Sequence, residues 1–302
     1  MKLKLASHFF SMSVNNRIFD SPRHFIAFLK EAGLEIDDER KAASYAHNIG
    51  YFRLSVYLFP FLEEPKANFR FKPGTTFRQV LRVYDFDKKL RLLLFNEIEK
   101  IEIAFRNAIL YTMQAMTSDP YWITKEEYVG RETLDYIKKE YNKSGEDFIV
   151  HFRKVLRRPT APAFTVAEIL SFGTMTWIYK CLPFKYRKDV ARKFCLNVPV
   201  LESWINVVVL VRNACCHHGR LWNRVTNITT LDMDNMWRPW LTSEPDKHRV
   251  YHNICIVKYL LDVISPGNDF KEKLLRLLAL YPEIDEAAMG FTPEWLGEPL
   301  WQ

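Results

Sequence analysis

Glycine is scarce in this chain, 10 in 302 residues. Its apolar residues recur mostly at steps of three and four, the period of a helix face. Together these exclude a β-rich architecture, and an all-α fold is expected. Cysteine is also sparse. The five are Cys181, Cys195, Cys215, Cys216 and Cys255. An odd number with one adjacent pair excludes a secreted disulfide framework and fits reduced thiols in a cytosol. No Cys-x2-Cys pair supports a closed zinc site. His248, His252 and Cys255 fall at i, i+4 and i+7 but lack a visible fourth ligand, so no metal and no cofactor is expected. The chain has no Walker loop and no glycine-rich dinucleotide turn, which argues against a nucleotide-using transferase. The apolar run 205–211 contains Asn206 and falls short of a membrane span. The start, Met1 to His8, is too short and too interrupted for a secretory apolar region. A cytoplasmic protein without a membrane partner is expected. There is no long internal repeat and no low-complexity segment.

What is present is a large apolar fraction, 48%, with a formal net charge of +7 and a sequence pI near 9.0. The first is enough for a full core. The second favours a polyanionic partner, and nucleic acid fits better than membrane. The spacing predicts helices that start at Ser21-Pro22 and at Asp37-Asp38-Glu39, with Gly33 as a stop between them. Pro60 and Pro65 end the apolar pattern of 39–61. Thr75-Thr76 caps the longest pattern, which runs from Val80 through Leu90, Leu94, Ile98, Ile101, Phe105 and Ala108 to Thr112. This is one long helix, or two with a bend near Asp85-Phe86-Asp87, and Asp119-Pro120 breaks it. Residues 119–165 read as a polar insertion with short helices and a basic loop. Further helices are expected over Phe164–Tyr179 (with a bend at Ser171 to Thr174), Leu201–His218, Tyr251–Ile264 and Phe270–Leu280. Residues 226–246 read as loop, and the tail from Pro282 as a strap that pins its aromatics. The expected organisation is an N-terminal helical region, 1–75, packed on a helical core, 76–265, followed by a C-terminal helix and tail, 266–302.

One stretch carries chemistry: Val211-Arg212-Asn213-Ala214-Cys215-Cys216-His217-His218-Gly219-Arg220-Leu221-Trp222-Asn223. The bare pattern Arg-x4-His arises about 0.6 times by chance in a chain of this composition, so its value lies in its setting at the end of an apolar helix. Asn213 and His217 are i, i+4 neighbours on one face. Arg212 lies about 140° from His217 on an ideal helix. Either the helix loosens toward Gly219, or a second copy completes the pocket, which implies a dimer. Arginine suits phosphate oxygens and imidazole moves protons near neutral pH. The set therefore suits metal-free RNA cleavage, in which a 2′-hydroxyl attacks its own phosphate. The plainer reading is that Arg212, His217 and His218 cap a helix C-terminus, where cations are favoured. Arg53, Arg91 and Arg106 are candidates for RNA-backbone contact or for buried ion pairs. Glu102 with Arg106, at i, i+4, is the expected pair. Glu99 or Glu102 could also polarise a motif histidine.

Wider blocks carry a resemblance. They are Asn48-Ile49-Gly50-Tyr51-Phe52-Arg53-Leu54-Ser55 with Tyr57 and Pro60-Phe61; Phe71, Gly74-Thr75 and Phe77; Tyr84, Phe86-Asp87 and Leu90-Arg91; Ile98-Glu99, Ile101-Glu102 and Arg106; and Glu168 with Ser171-Phe172-Gly173. The most specific is Arg212-Asn213-x-Cys215-x-His217-His218-x-Arg220-Leu221-Trp222-Asn223. Gly290-Phe291 and Pro299-Leu300-Trp301 extend the match to the tail. The sequence resembles the Abi-like (abortive infection, D/F type) family of bacterial phage-defence proteins, with Cys216 where that family has alanine. The family is similar to HEPN-type ribonucleases, whose motif is Arg, a polar residue, three variable residues and His. The resemblance implies an all-α, HEPN-like bundle and a homodimer that brings two motifs together. It also implies an endoribonuclease toxin acting on RNA, restrained in some relatives by a small structured RNA antitoxin. Arg212, Asn213, His217 and His218 are then the catalytic candidates, and Arg220, Asn223 and Arg53 the RNA-binding candidates. The alternative is a non-catalytic RNA-binding module of a defence or toxin–antitoxin complex, or a helical interaction protein without RNA.

Overall fold

The computed structural model describes residues 18–232 and 237–302. The start, Met1 to His8, and positions 233–236 of the expected loop lie outside the described residues. Thirteen α-helices and no β-sheet are found among the described residues; two isolated bridges are the only strand-like pairings. The fold is all-α, as the glycine scarcity and the apolar period imply. The chain divides into two compact units, one ending at Lys89 and one running from Leu90 to Gln302.

In the first unit the helix starts follow the local sequence. Ser21 Oγ accepts the His24 N–H at 3.2 Å, and Pro22 occupies the first turn of α1, Pro22–Glu31. Gly33, at φ 95°, stops it. Asp38 caps α2, Glu39–Ile49, by accepting the Lys41 N–H. Gly50, at φ 89°, separates α2 from α3, Tyr51–Leu58. That positive φ is one a side chain resists, so glycine suits the junction. Phe25, Ile26 and Leu29 form the buried face of α1, and Phe19, Phe25, Phe28 and Tyr51 gather in edge-on and tilted contacts. Tyr57 donates a buried 2.6 Å hydrogen bond to Asp87.

The long pattern is a single helix, α4, Phe77–Thr117, without a break near Asp85 to Asp87. A reciprocal cap starts it. Thr76 Oγ1 accepts the Gln79 N–H at 3.2 Å, and Gln79 Oε1 accepts the Thr76 N–H at 2.8 Å, which satisfies two otherwise orphaned donors. Its residues up to Lys89 belong to the first unit and those from Leu90 to the second.

In the second unit Leu90, Leu94, Ile98, Ile101, Phe105 and Ile109 of α4 are fully buried or nearly so. Phe105 meets Phe172 and Tyr179 edge-on. The polar stretch 119–165 holds short helices, α5 (Glu126–Val129), α6 (Arg131–Lys143) and α7 (Asp147–Val150), then a single π turn, with α8 (Ala163–Ala167) at its end. The expected bend at Ser171 is a new helix start. Ser171 Oγ accepts the Thr174 N–H and begins α9, Phe172–Cys181. A helix that the apolar period does not announce, α10, Phe184–Lys193, follows. It is strongly charged, and only Tyr186, Val190 and Ala191 face inward.

Asn197 then caps α11, Val198–Cys216, with Pro199 in its first turn. This helix is longer than the run 205–211 and, among the described residues, is the one long and apolar enough to cross a membrane by length and composition. Nine of its residues are buried, and it packs on α9 and α10 and on α12, Val250–Ile264. Those contacts make it the core helix of the unit. Arg249, not His248, caps α12, so the face expected to unite His248, His252 and Cys255 does not form: His248 lies ahead of the helix. Its Nδ1 meets the Thr226 carbonyl at 2.7 Å, and His252 Nε2 meets Thr230 Oγ1 at 2.7 Å. After α13, Phe270–Leu280, the tail straps back through three short 3-10 turns and buries Phe291, Trp295, Leu300 and Trp301. Glu298 clasps it to the 242–243 turn, accepting from the Thr242 N–H, its hydroxyl and the Ser243 N–H at 2.6–3.0 Å.

Candidate functional site

The Arg–His stretch closes α11. The helix ends at Cys216, with His217 as its half-turn cap and His218 in the left-handed region at φ 56°. The Gly219 N–H bonds the Ala214 carbonyl at 2.7 Å, and the His218 N–H bonds that of Cys215 at 3.2 Å. These are the paired bonds of a Schellman ending, whose left-handed residue is usually glycine. Here the glycine comes one position late and a histidine takes the strained site, at roughly 1–2 kcal/mol. Gly219 itself has another constraint: a Cβ there would stand 3.3 Å from the Ala214 carbonyl oxygen.

The ending also bears on the plainer reading of the motif. The carbonyls of Asn213, Ala214 and Cys215 accept main-chain N–H groups from His217, Gly219 and His218. Those carbonyls are satisfied without a histidine side chain. Both imidazoles are exposed. The helix ends at Cys216, but the His217 N–H still bonds the Asn213 carbonyl at 3.0 Å, so the chain leaves the helix path only at His218 and loosening does not remove the 140° offset.

Arg212 lies one turn back. Its Nε stands 3.4 Å from Glu102 Oε2, and its Nη1 is 3.4 Å from Asn213 Oδ1. Glu102 is shared: its other oxygen lies 3.6 Å from Arg106. Arg106 reaches on to Glu168 at 3.2 Å. The expected Glu102–Arg106 pair is therefore present, while Glu102 engages the motif arginine and not a histidine. Glu99 is exposed. Arg91, almost fully buried, donates to the Gly219 carbonyl at 3.3 Å and ties the loop to α4.

Arg220 is half-buried beside the motif. Asn223, at φ 49°, accepts a 2.7 Å hydrogen bond from Arg249 through its side-chain oxygen. Arg53 is half-buried on α3 of the first unit. The structure thus brings Arg212, Asn213 and Glu102 into contact and sets His217 and His218 at the adjoining helix end. The contribution of Arg91 and Glu102 has no local signal, since each acts across more than 100 residues of chain.

Fold and site together define an all-α protein with an arginine, an asparagine and two histidines at one open helix terminus. The chain belongs to the Abi-like protein family, which matches it over residues 44–223, more than half its length and including the whole motif through Asn223. Membership suggests a role in abortive infection. No curated protein and no solved structure matches the chain.

Proposed function

We propose that this protein is a metal-independent endoribonuclease of the HEPN type, acting as an abortive-infection toxin in phage defence. One observation carries the reading. Main-chain N–H groups hold the carbonyls of 213–215, while two imidazoles stay exposed and one of them occupies a strained backbone position. Strain of that kind persists only where surrounding structure holds it, and it gathers at functional sites.

In the reaction, the 2′-oxygen of a ribose bonds to the adjacent phosphorus and the bond to the 5′-oxygen breaks. One imidazole takes the 2′-hydroxyl proton and another gives a proton to the departing 5′-oxygen. The Arg212 guanidinium, held by Glu102, offsets charge on the phosphate oxygens. Asn213 steadies Arg212 through its side-chain oxygen. The products are a 2′,3′-cyclic phosphate and a 5′-hydroxyl.

The working form is a homodimer with a composite site. Leu92, Phe95 and Ile103 of α4 are exposed and fall within about 80° of one another on an ideal helix, on the side that carries Glu102 and Arg106. Leu210 of α11 is exposed as well. Apolar residues beside the charged cluster suit a second copy that brings its own motif. Partners beyond the RNA substrate include a small structured RNA antitoxin, consistent with the net positive charge.

The test is cleavage of RNA in EDTA by the parent and by His217→Ala. The parent should leave cyclic-phosphate ends, and the variant should lose cleavage by at least about 100-fold, as expected for a general acid or base, with an unchanged circular dichroism spectrum. An equally active variant refutes the mechanism. RNA bound by the parent with steep salt dependence but never cut leaves a binding module instead.

A further inference from the structure

Beside the motif, α11 forms one wall of a cavity of about 300 Å³. Its sides are apolar: Val207, Val211 and Ala214 of α11, Leu221 of the following loop and Val250 of α12. Asn253 also lines it. This residue is only 6% exposed, and its carboxamide makes no hydrogen bond to any described residue. Its amide atoms are not wholly enclosed, so they open onto the cavity and can meet a ligand there. The volume lies at the lower end of small-ligand sites, about 300–1,000 Å³. Thr226 and the exposed Asn227 line it too, so Asn253 is its one buried amide. Largely apolar walls around that amide suit a flat heterocycle whose edge presents a donor next to an acceptor. Arg224 is exposed at the rim, suited to a phosphate.

Position links the cavity to the chemistry. Ala214 precedes His217 by three residues, about 4.5 Å along the helix axis. Residues 207, 211 and 214 share one face of α11, and Arg212 points roughly opposite. On an ideal helix His217 lies about a quarter turn from this face, nearer to it than Arg212 is.

We infer that this cavity binds one unpaired nucleobase of the RNA strand and sets where that strand is cut, with Asn253 reading the base edge. Asparagine pairs in bidentate fashion with adenine through N6 and N7, which makes adenine the best match. The inference rests on the ribonuclease reading, and the experiment separates the two.

The full-length parent, Asn253→Leu and Val225→Trp are compared. The leucine removes the amide at similar volume; the tryptophan, at a partly exposed position in the lining, fills the cavity. Cleavage sites in a random-sequence RNA pool are mapped by end sequencing. The parent should favour one base, adenine expected, at one position near the cut by about tenfold, as a bidentate contact discriminates. Both variants should still cut but lose that preference. A parent without base preference, or variants that keep it, overturns the inference while leaving the nuclease reading intact. If the parent cuts nothing, binding of A6, U6, C6 and G6 oligoribonucleotides decides the matter: a preference lost in both variants supports the base site without the nuclease. Equal binding of the four overturns it. Adenosine monophosphate that binds in an Asn253-dependent way, with the RNA pattern unchanged, would assign the cavity to a free nucleotide and also overturn it.

Discussion

The left-handed histidine offers a test in which stability and chemistry separate. His218 sits at φ 56° in the Schellman ending of α11. His218→Ala and His218→Gly both remove the imidazole and every contact it makes, so the two variants differ only in backbone terms. Alanine keeps a Cβ in the left-handed region, a strain of roughly 1–2 kcal/mol. Glycine has no such strain but gives the unfolded chain more freedom, which costs about 0.5–1 kcal/mol. The difference favours the glycine variant by about 0–1.5 kcal/mol, centred near 0.75. Urea unfolding measured by circular dichroism, with both variants at one protein concentration, reads it as a higher midpoint for glycine at equal slope. RNA cleavage should fall equally in the two, since both lack the same imidazole. A glycine variant less stable than alanine would mean that His218 does not hold this conformation, and the strain argument for its use would fail with it.

Other outcomes follow from the same structure. Glu102→Gln should lower the RNA-cleavage rate by about tenfold, with a small stability loss of about 1 kcal/mol, because the pairs it breaks are part-exposed and long; the turnover rate should fall more than apparent substrate affinity, and an unchanged rate would remove Glu102 as the residue that positions Arg212. Burial pushes the His252 imidazole down to about 4, against the opposing pull of Asp232. Its neutral form is thus favoured in the fold, so its contribution is complete above pH 6.5 and is lost as pH falls toward 4, by about 1.4 kcal/mol per pH unit. His252→Gln should flatten the unfolding profile in that window, and an unaltered slope would contradict the burial. Gly290, at φ 93°, would place a Cβ 2.5 Å from Arg249 Cβ. Gly290→Ala should cost about 1–3 kcal/mol in thermal or urea unfolding, and a neutral result would show that the tail packs differently there.

Much of the fold was legible in local signals. Ser21-Pro22, Asp38 and Thr76 begin helices where their hydroxyl or carboxylate oxygens accept an N–H three residues on. The steps of three and four from Leu90 to Thr112 mark the buried face of α4. Charge-rich α10 escaped notice because its buried face is only three residues wide. The supposed histidine–cysteine face failed for a related reason: spacing assumes a helix, and the helix starts two residues after His248.

By itself the sequence determined an all-α protein with an Arg–Asn–His–His terminus on a long apolar helix, since helix period, caps and motif all act within a few residues. Only the tertiary structure decided what surrounds that terminus. Glu102 meets Arg212, Arg91 meets the Gly219 carbonyl across 128 positions, and Asn253, without a hydrogen-bond partner among the described residues, lines a cavity beside the motif. These contacts come from how α4, α11 and α12 pack, and packing joins residues whose distance along the chain carries no information about their distance in space.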